Sequence, residues 1–334
     1  RPMHRKIAAL LVALSALGAQ AAEPQPVTLC ALPFVSSAPL FIAQDKGYFA
    51  REGLKSEIKL FHAAQPVAVG VASGDCDFGV TGFTAGFFNL AGKGALKVIG
   101  AQSREQPGYH FIGFAVSNKA YEAGLRDIKQ LPGHTVGITQ VGSTFQYNVG
   151  MLADKFGWDM SSIHLKPLQS VPNMIAAVKG GEVDMTFLPA HIIAALTKAG
   201  SVHVIGWVDD YTPWQVGGLF TSAKNIEQRP EVVRAFVRAY QQAAAEYYEA
   251  FDRRDAKGER VFDDKANELL PILEKYTQSK PEAIYLGAPY IDPLGRLDVK
   301  DVTKQVAWYQ KHGLVDQDVD PKKFLDLGFI QGQE

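Results

Sequence analysis

The chain has 334 residues, of which 47% are apolar, and a formal net charge of −1 at pH 7. Loss of Arg1, Arg5 and Lys6 with an N-terminal leader would change this charge to −4, which is too small to indicate nucleic acid or an anionic membrane as a partner. A chain of this length and apolar content can form two domains, each with its own core, and is not expected to be disordered.

The first 22 residues have the layout of a secretory signal peptide. Arg5 and Lys6 precede an apolar run, 7–17, and small residues follow at 19–22. The run has about half the length that a bilayer crossing needs, so cleavage is favoured over retention as an anchor. We therefore predict an exported, periplasmic protein and exclude residues 1–22 from the fold.

Strands and helices are predicted to alternate through the first third of the chain. Apolar runs indicate buried strands, and apolar residues at helical spacing that end near glycine indicate helices. The predicted strands are 27–34, 55–61, one that begins at Phe78, and 96–101, and the predicted helices are 39–50, 65–72 and 84–91. The apolar segment 111–117 is then predicted to cross to a second lobe, which ends in strand 204–208, and 216–222 to return.

An offset of 107 residues relates the first third of the chain to the second. Residues 27–31 then align with 134–138, and Ser36-Ser37 with Ser143-Thr144. The match continues to 97–100, which aligns with 203–206 after the loss of one residue. One supersecondary unit used twice predicts two lobes with a cleft between them. The predicted lobes are 23–115 with 218–334, and 116–217.

The C-terminal third is predicted to be helical and has no counterpart in the repeat. Its helices are expected at 230–251, 264–276 and 299–312, from the spacing of apolar residues and from Gly313 after the last of them. These helices are predicted to pack back on the first lobe. Two crossing segments would then form the hinge, which suits closure of the lobes around a ligand.

The ligand site is predicted at four turns that follow strands, where helices begin and the cleft of a parallel sheet lies. Hydroxyl groups and free N–H groups at such turns suit an oxyanion, although Ser and Thr at helix starts also serve as simple caps. The candidates in these turns are Phe34, Ser36, Ser37, Thr81, Gly82, Phe83, Thr84, Gly142, Ser143, Thr144, Phe145 and His191.

Three further candidates come from outside these turns. Trp207 and Trp214 are aromatic residues near strand ends and crossings that could stack on a ligand. Arg104 follows a strand closely, so it could pair with an anionic ligand or form an ordinary salt bridge at the edge of the lobe. Core packing is the alternative role for the aromatic residues.

Two cysteines follow the leader, and their pairing is left open. Cys30 is predicted in the first strand and Cys76 just before the third. An oxidising compartment would permit a disulfide. Neighbouring parallel strands rarely offer suitable Cβ geometry, so two buried thiols are favoured over the bond.

Catalytic and metal-binding motifs are missing from the sequence. It has no H-x-x-x-H spacing, no G-x-S-x-G elbow, no phosphate-binding glycine loop and no H-E-x-x-H. We therefore predict a binding protein without a cofactor or a metal, and not an enzyme.

Four segments resemble the alkanesulfonate, taurine and thiamine-pyrimidine-precursor family of periplasmic binding proteins. They are 39–54 with Gly47-Tyr48-Phe49 and Glu52-Gly53-Leu54, the paired turns 73–79 and 180–184, and the ending 308–314. The resemblance implies a type II periplasmic binding protein fold, an α/β architecture of two doubly wound lobes joined by a two-strand hinge. It also implies a monomeric receptor that delivers its ligand to the permease and ATPase of an ABC importer.

In that family the ligand groups usually come from turns that correspond to 36–37, 81–84 and 142–144, which are turns already selected above. We expect a small organic anion of the sulfonate or aromatic carboxylate type. Two alternatives stay open: a receptor that reports to a membrane sensor, and an enzyme related to thiamine-pyrimidine synthesis. The cysteine-rich motif of those enzymes is not found here.

Overall fold

The computed structural model describes residues 22–333. All but the last residue of the predicted signal peptide therefore lies outside the described residues. None of the helices in 22–333 combines the length and the apolarity that a bilayer crossing requires.

Thirteen strands and fourteen α-helices are found in the described residues. The strands are β1 (Gln25–Ala31), β2 (Leu54–Leu60), β3 (Phe78–Gly82), β4 (Leu96–Ala101), β5 (Ser103–Glu105), β6 (Ile112–Ser117), β7 (Thr135–Ile138), β8 (His164–Pro167), β9 (Met185–Pro189), β10 (Val202–Trp207), β11 (Trp214–Gln215), β12 (Gly217–Ser222) and β13 (Tyr290–Ile291). The helices are α1 (Ala38–Asp45), α2 (Tyr48–Arg51), α3 (Ala64–Ser73), α4 (Ala85–Gly92), α5 (Asn118–Glu122), α6 (Thr144–Phe156), α7 (Val171–Gly180), α8 (Ala190–Lys198), α9 (Ala223–Gln228), α10 (Pro230–Tyr247), α11 (Asp264–Thr277), α12 (Pro281–Gly287), α13 (Val299–Lys311) and α14 (Pro321–Phe324).

The strands form two five-stranded sheets of the same topology, one in each lobe. The first has the order β2-β1-β3-β12-β4 and the second the order β8-β7-β9-β6-β10. In each sheet the second strand from one edge is antiparallel to its neighbours, β12 in the first and β6 in the second. The α/β fold of two doubly wound lobes is confirmed.

The repeat of 107 residues is visible in the structure. Helix α7 begins and ends 107 residues after α3, and β9 lies at the same offset from β3. Strand β10 follows β4 at an offset of 106, as the loss of one residue predicts. Similar local patterns of apolar and turn residues have therefore given the same unit twice.

The predicted positions of the two crossings are wrong. The segments 111–117 and 216–222 are mostly strands β6 and β12, which lie inside the sheets of their lobes. These two segments are apolar because both faces of each strand are buried in its sheet. The chain instead crosses at the short strands β5 and β11, which pair antiparallel with each other, while β13 pairs with β5. The predicted boundary after residue 115 consequently falls within β6.

The C-terminal helices α10 and α11 pack on α1, and their apolar residues share one core with the first sheet. Helix α13 differs from this expectation because it lies between the lobes. The ring of Trp308 is 5.5 Å from that of Tyr147 on α6, and the hydroxyl of Tyr309 donates to the carbonyl oxygen of Ser143 at 3.1 Å. The last predicted helix therefore supports both lobes.

Cys30 and Cys76 form a disulfide, with 6.0 Å between their Cα atoms. The expectation of two thiols was wrong because it assumed the geometry of neighbouring strands. Cys76 lies in the turn before β3, where its N–H donates to the carbonyl oxygen of Gly70 at 2.9 Å. The turn, and not strand pairing, sets its distance from Cys30.

Candidate functional site

A cavity lies between the two lobes, at the edge where the parallel strands of both sheets end. The space inside it that the centre of a water-sized sphere can reach is about 40 Å³, and the space free of protein atoms is about 570 Å³ when the open solvent at its mouth is counted. Its lining residues in the described chain are apolar or neutral and polar, and none is charged. They are Leu32, Phe34, Ser36, Ala63, Ala64, Thr81, Gly82, Gln102, Phe111, Ile112, Thr139, Ser143, Thr144, Phe145, Asn148, Val171, Trp214 and Val216.

The N-terminus of α6 forms one wall of this cavity. The hydroxyl oxygen of Ser143 caps the helix by accepting from the N–H of Gln146 at 3.3 Å. The next two N–H groups, of Thr144 and Phe145, have no acceptor in the part of the chain that the structure describes. Free N–H groups at the positive end of a 13-residue helix form a type of seat that suits an anion.

The first lobe contributes a hydroxyl group and an amide on the opposite wall. The side-chain amide of Gln102 donates to the hydroxyl oxygens of Ser37 at 3.0 Å and Ser36 at 3.4 Å. Ser36 and Gln102 line the cavity, whereas Ser37 is buried outside the lining. Sequence reasoning missed Gln102, although its place directly after β4 is a signal that could have found it.

Asn148 is the second residue that sequence reasoning missed. It lies one helical turn after Thr144, is 1% exposed, and neither its carbonyl oxygen nor its amide nitrogen has a partner in the structure. The indole N–H of Trp214 is also buried without a partner. Both residues are among those that line the cavity, so their unpaired groups are candidates for hydrogen bonds with a ligand or with water.

The lobes touch directly beside the cavity. The N–H of Val171 donates to the carbonyl oxygen of His62 at 2.9 Å. A Cβ built on Gly82 would lie 2.7 Å from the methyl group of Thr144, so the turns after β3 and before α6 are in close contact. The structure therefore represents closed lobes.

His191 connects the lobes at a position outside the cavity lining. It begins α8 with Ala190, and its Nε2 accepts from the N–H of Val35 at 3.5 Å while its Nδ1 lies 3.0 Å from the hydroxyl of Ser279. Burial lowers the pKa of His191 to about 3, so the ring is neutral. The sequence predicted the correct edge of the sheet for His191, but its ring nitrogens contact protein groups outside the cavity lining.

Five other candidates also lie outside the lining. Phe83 packs against Phe87 in the core, and Thr84 caps α4 and bonds the side chain of Gln65. Arg104 donates to Gln215 at 3.0 Å and to the carbonyl oxygen of residue 296 at 2.6 Å, in the strands between the lobes. Trp207 stacks on His110, with 4.7 Å between ring centres. Gly142 touches the cleft through its backbone only.

An acidic cluster lies near the crossing strands. Burial, and then the nearby Asp209, raise the pKa of Glu105 well above its ordinary value. The side chains of His110, Asp209 and Asp210 lie close enough to share a cation. In the described residues, however, Asp209 already accepts from the N–H of Gly108 at 3.1 Å and contacts His110 Nδ1 at 2.7 Å. The cluster is accounted for by these internal hydrogen bonds.

The fold has two lobes with a cavity between them. The model of the family described as NMT1/THI5 like matches residues 35–252, and the chain belongs to this family. The predicted family resemblance is thereby confirmed. A search of curated proteins gave no match.

Solved structures of similar fold cover nearly the whole chain. The alkanesulfonate-binding protein SsuA from Xanthomonas axonopodis pv. citri, bound to MOPS, has a TM-score of 0.72 and 19% identity, and covers 92% of this chain and 100% of its own. The periplasmic nitrate-binding protein NrtA from Synechocystis PCC 6803 has a TM-score of 0.68 and 14% identity, and the match covers 90% of this chain and 84% of that protein. The desulfurization enzyme DszB has a TM-score of 0.58 and 12% identity, and the match covers 91% of this chain and 97% of that protein. The periplasmic binding protein fold is thus confirmed.

Proposed function

We propose that this protein is a periplasmic solute receptor that holds one small organic anion between its lobes and delivers it to an ABC importer. The observation that carries the proposal is the pair of N–H groups of Thr144 and Phe145, which have no acceptor in the described residues and belong to two residues that line the cavity. A buried N–H group without an acceptor is unfavourable. An oxyanion supplies that acceptor and also interacts favourably with the helix dipole.

The charge of the ligand is limited to a single negative charge. No lysine, arginine or histidine is among the lining residues of the described chain. A buried dianion without a cation would be strongly disfavoured by desolvation. A monoanion can be stabilised by helix N–H groups and by the hydroxyls of Ser36, Ser143 and Thr144.

The remaining walls favour an organic body on this anion. Phe34, Phe111, Phe145 and Trp214 line the cavity and present aromatic surface, on which a flat or aliphatic group can pack. Sulfonates and aromatic carboxylates combine such a body with one oxyanion. The alkanesulfonate-binding protein of similar fold supports the first of these classes.

A receptor is favoured over an enzyme by the chemistry of the lining. General acid–base catalysis requires a titratable group within reach of the substrate, and none of the 18 lining residues titrates near neutral pH. The similarity to a desulfurization enzyme is at the level of the fold. Delivery to an importer and export are parts of the proposal that the family resemblance supports, and the monomeric state is proposed with them.

A thermal-shift panel of alkanesulfonates and benzoates, followed by calorimetric titration of each hit, tests the proposal. We expect at least one anion to bind with one-to-one stoichiometry and to be recovered unchanged after incubation, as judged by mass spectrometry. Chemical conversion of the bound anion would favour the enzyme. Stabilisation by cations or neutral solutes alone would contradict the anion site.

A further inference from the structure

Asn148 provides information about the ligand that the anion seat does not. Its side chain projects from α6 four residues after Thr144, which places it about 6 Å further along the helix. It is 1% exposed and lines the same cavity. A ligand that binds the seat with one end can therefore reach Asn148 with its other part.

The carboxamide of Asn148 presents one donor group and one acceptor, whichever way the amide is turned. Both are buried without a partner. A sulfonate, a nitrate or a carboxylate can only accept hydrogen bonds, so it would leave the carbonyl oxygen of Asn148 unpaired. An unpaired buried acceptor weakens binding.

The cavity lining adds a second buried donor to the amide of Asn148. The indole N–H of Trp214 is buried without a partner, and it lines the cavity with Asn148. A ligand group with one N–H and one carbonyl oxygen satisfies this set, because its N–H donates to Asn148 and its oxygen accepts from the two N–H donors. Amides, lactams and ureas have this pattern.

We infer that the ligand is a small organic monoanion that also carries an amide-type N–H and carbonyl group, about 6 Å from its acid group. This inference rests on the proposed function and specifies its ligand class. It assigns the acid group to the start of α6, the amide-type group to Asn148, and the connecting part to the aromatic walls.

Three benzoates with different para substituents test the inference by calorimetry: 4-carbamoylbenzoate, 4-acetylbenzoate and benzoate. The first two differ by NH₂ against CH₃, so they separate N–H donation from shape and from the carbonyl oxygen. We expect 4-carbamoylbenzoate to bind at least tenfold more tightly than 4-acetylbenzoate. Equal affinity for these two would overturn the inference while leaving the anion seat in place.

The matched variants are Asn148→Leu and Asn173→Leu. Asn173 is an exposed asparagine on α7, so its replacement controls for the substitution. Asn148→Leu should abolish the preference for 4-carbamoylbenzoate and leave the melting temperature unchanged or higher, because a buried amide without partners is removed. A preference that survives in Asn148→Leu would overturn the assignment, and so would failure of all three benzoates to bind. The proposed function itself is decided by the broader anion panel.

Discussion

The backbone N–H of Ala85 donates a hydrogen bond to the carbonyl oxygen of Gly142, 2.9 Å away. Ala85 begins α4 of the first lobe and Gly142 precedes α6 of the second, so this bond joins two of the predicted binding turns across the cleft. Gly142 has a φ of +81°, and a Cβ built there would lie 2.8 Å from the Cβ of Ala85. Closure at this point therefore requires glycine.

Gly142→Ala should hold the lobes apart and weaken ligand binding at least tenfold. The added methyl group would collide with Ala85, and relief of that collision opens the cleft. Calorimetry measures the affinity, and small-angle scattering should show a larger radius of gyration. Gly133→Ala is the control, because Gly133 has a φ of +90° and no atom within 4 Å of its Cβ position. Both variants lose about 1 kcal/mol or more of stability from the positive φ. Equal affinities in the two would show that the contact with Ala85 does not control closure.

Removal of different hydroxyl groups in the binding turns should have different effects on ligand affinity and on stability. Ser36→Ala and Thr144→Val each remove a hydroxyl that lines the cavity, so we expect binding of the anion to weaken by about 1.5 to 3 kcal/mol. The hydroxyl of Ser37 accepts from Gln102 away from the lining, so Ser37→Ala should lower the melting temperature and leave affinity nearly unchanged. Titration and melting curves on the same samples separate these results. If only Ser37→Ala lost affinity, the anion would bind near Ser37 and not at the hydroxyl groups that line the cavity.

The contribution of His191 to folding stability should depend on pH. The buried ring has its pKa lowered to about 3, whereas an exposed histidine titrates near 6.5. The unfolded chain consequently binds a proton between these values that the native protein does not, so the stability due to His191 is complete above pH 6.5 and is lost as the pH falls toward 3.

His191→Gln isolates this contribution from those of other titrating groups. The difference in unfolding free energy between wild type and variant should shrink by about 2 kcal/mol between pH 7 and pH 5. Urea denaturation at several pH values measures it. A difference that stays constant across this range would mean that His191 is not buried as a neutral group.

The disulfide should stabilise the first lobe without affecting the ligand. It closes a loop of 46 residues between Cys30 and Cys76, for which loop-closure entropy predicts about 4 kcal/mol. We expect the double variant Cys30→Ala, Cys76→Ala to unfold at lower urea concentration and to bind the anion with unchanged affinity. Reducing agent should lower the stability of the wild type only. Insensitivity of the wild type to reduction would indicate that the bond does not form.

Much of the fold could be predicted because its signals are local. Apolar runs and glycine turns recur at the same spacing, so α3 and α7 could be placed from the repeat alone. The lobe crossings could not, because a buried central strand such as β6 and an apolar connection have the same sequence pattern. The short hinge strands are partly polar, as in Ser103–Glu105, and have no pattern of their own.

The site was predictable where it depends on topology and not where it depends on side-chain direction. Ser36, Thr81, Ser143 and Thr144 line the cavity because turns after parallel strands meet at one edge. Asn148 lies inside a helix, where sequence analysis places an asparagine on the solvent-exposed face. Its burial depends on tertiary packing, and no pattern within α6 shows this.

The central claim is that the cavity between the lobes holds one small organic anion. Native mass spectrometry tests it most directly, after incubation of the protein with a mixture of alkanesulfonates and benzoates. Ala64→Trp fills the cavity from the start of α3, and Ala50→Trp places the same side chain on the exposed end of α2. We predict a one-to-one anion complex for the wild type and for Ala50→Trp, and none for Ala64→Trp. A complex of equal abundance in Ala64→Trp, or no anion complex in the wild type, would contradict the account.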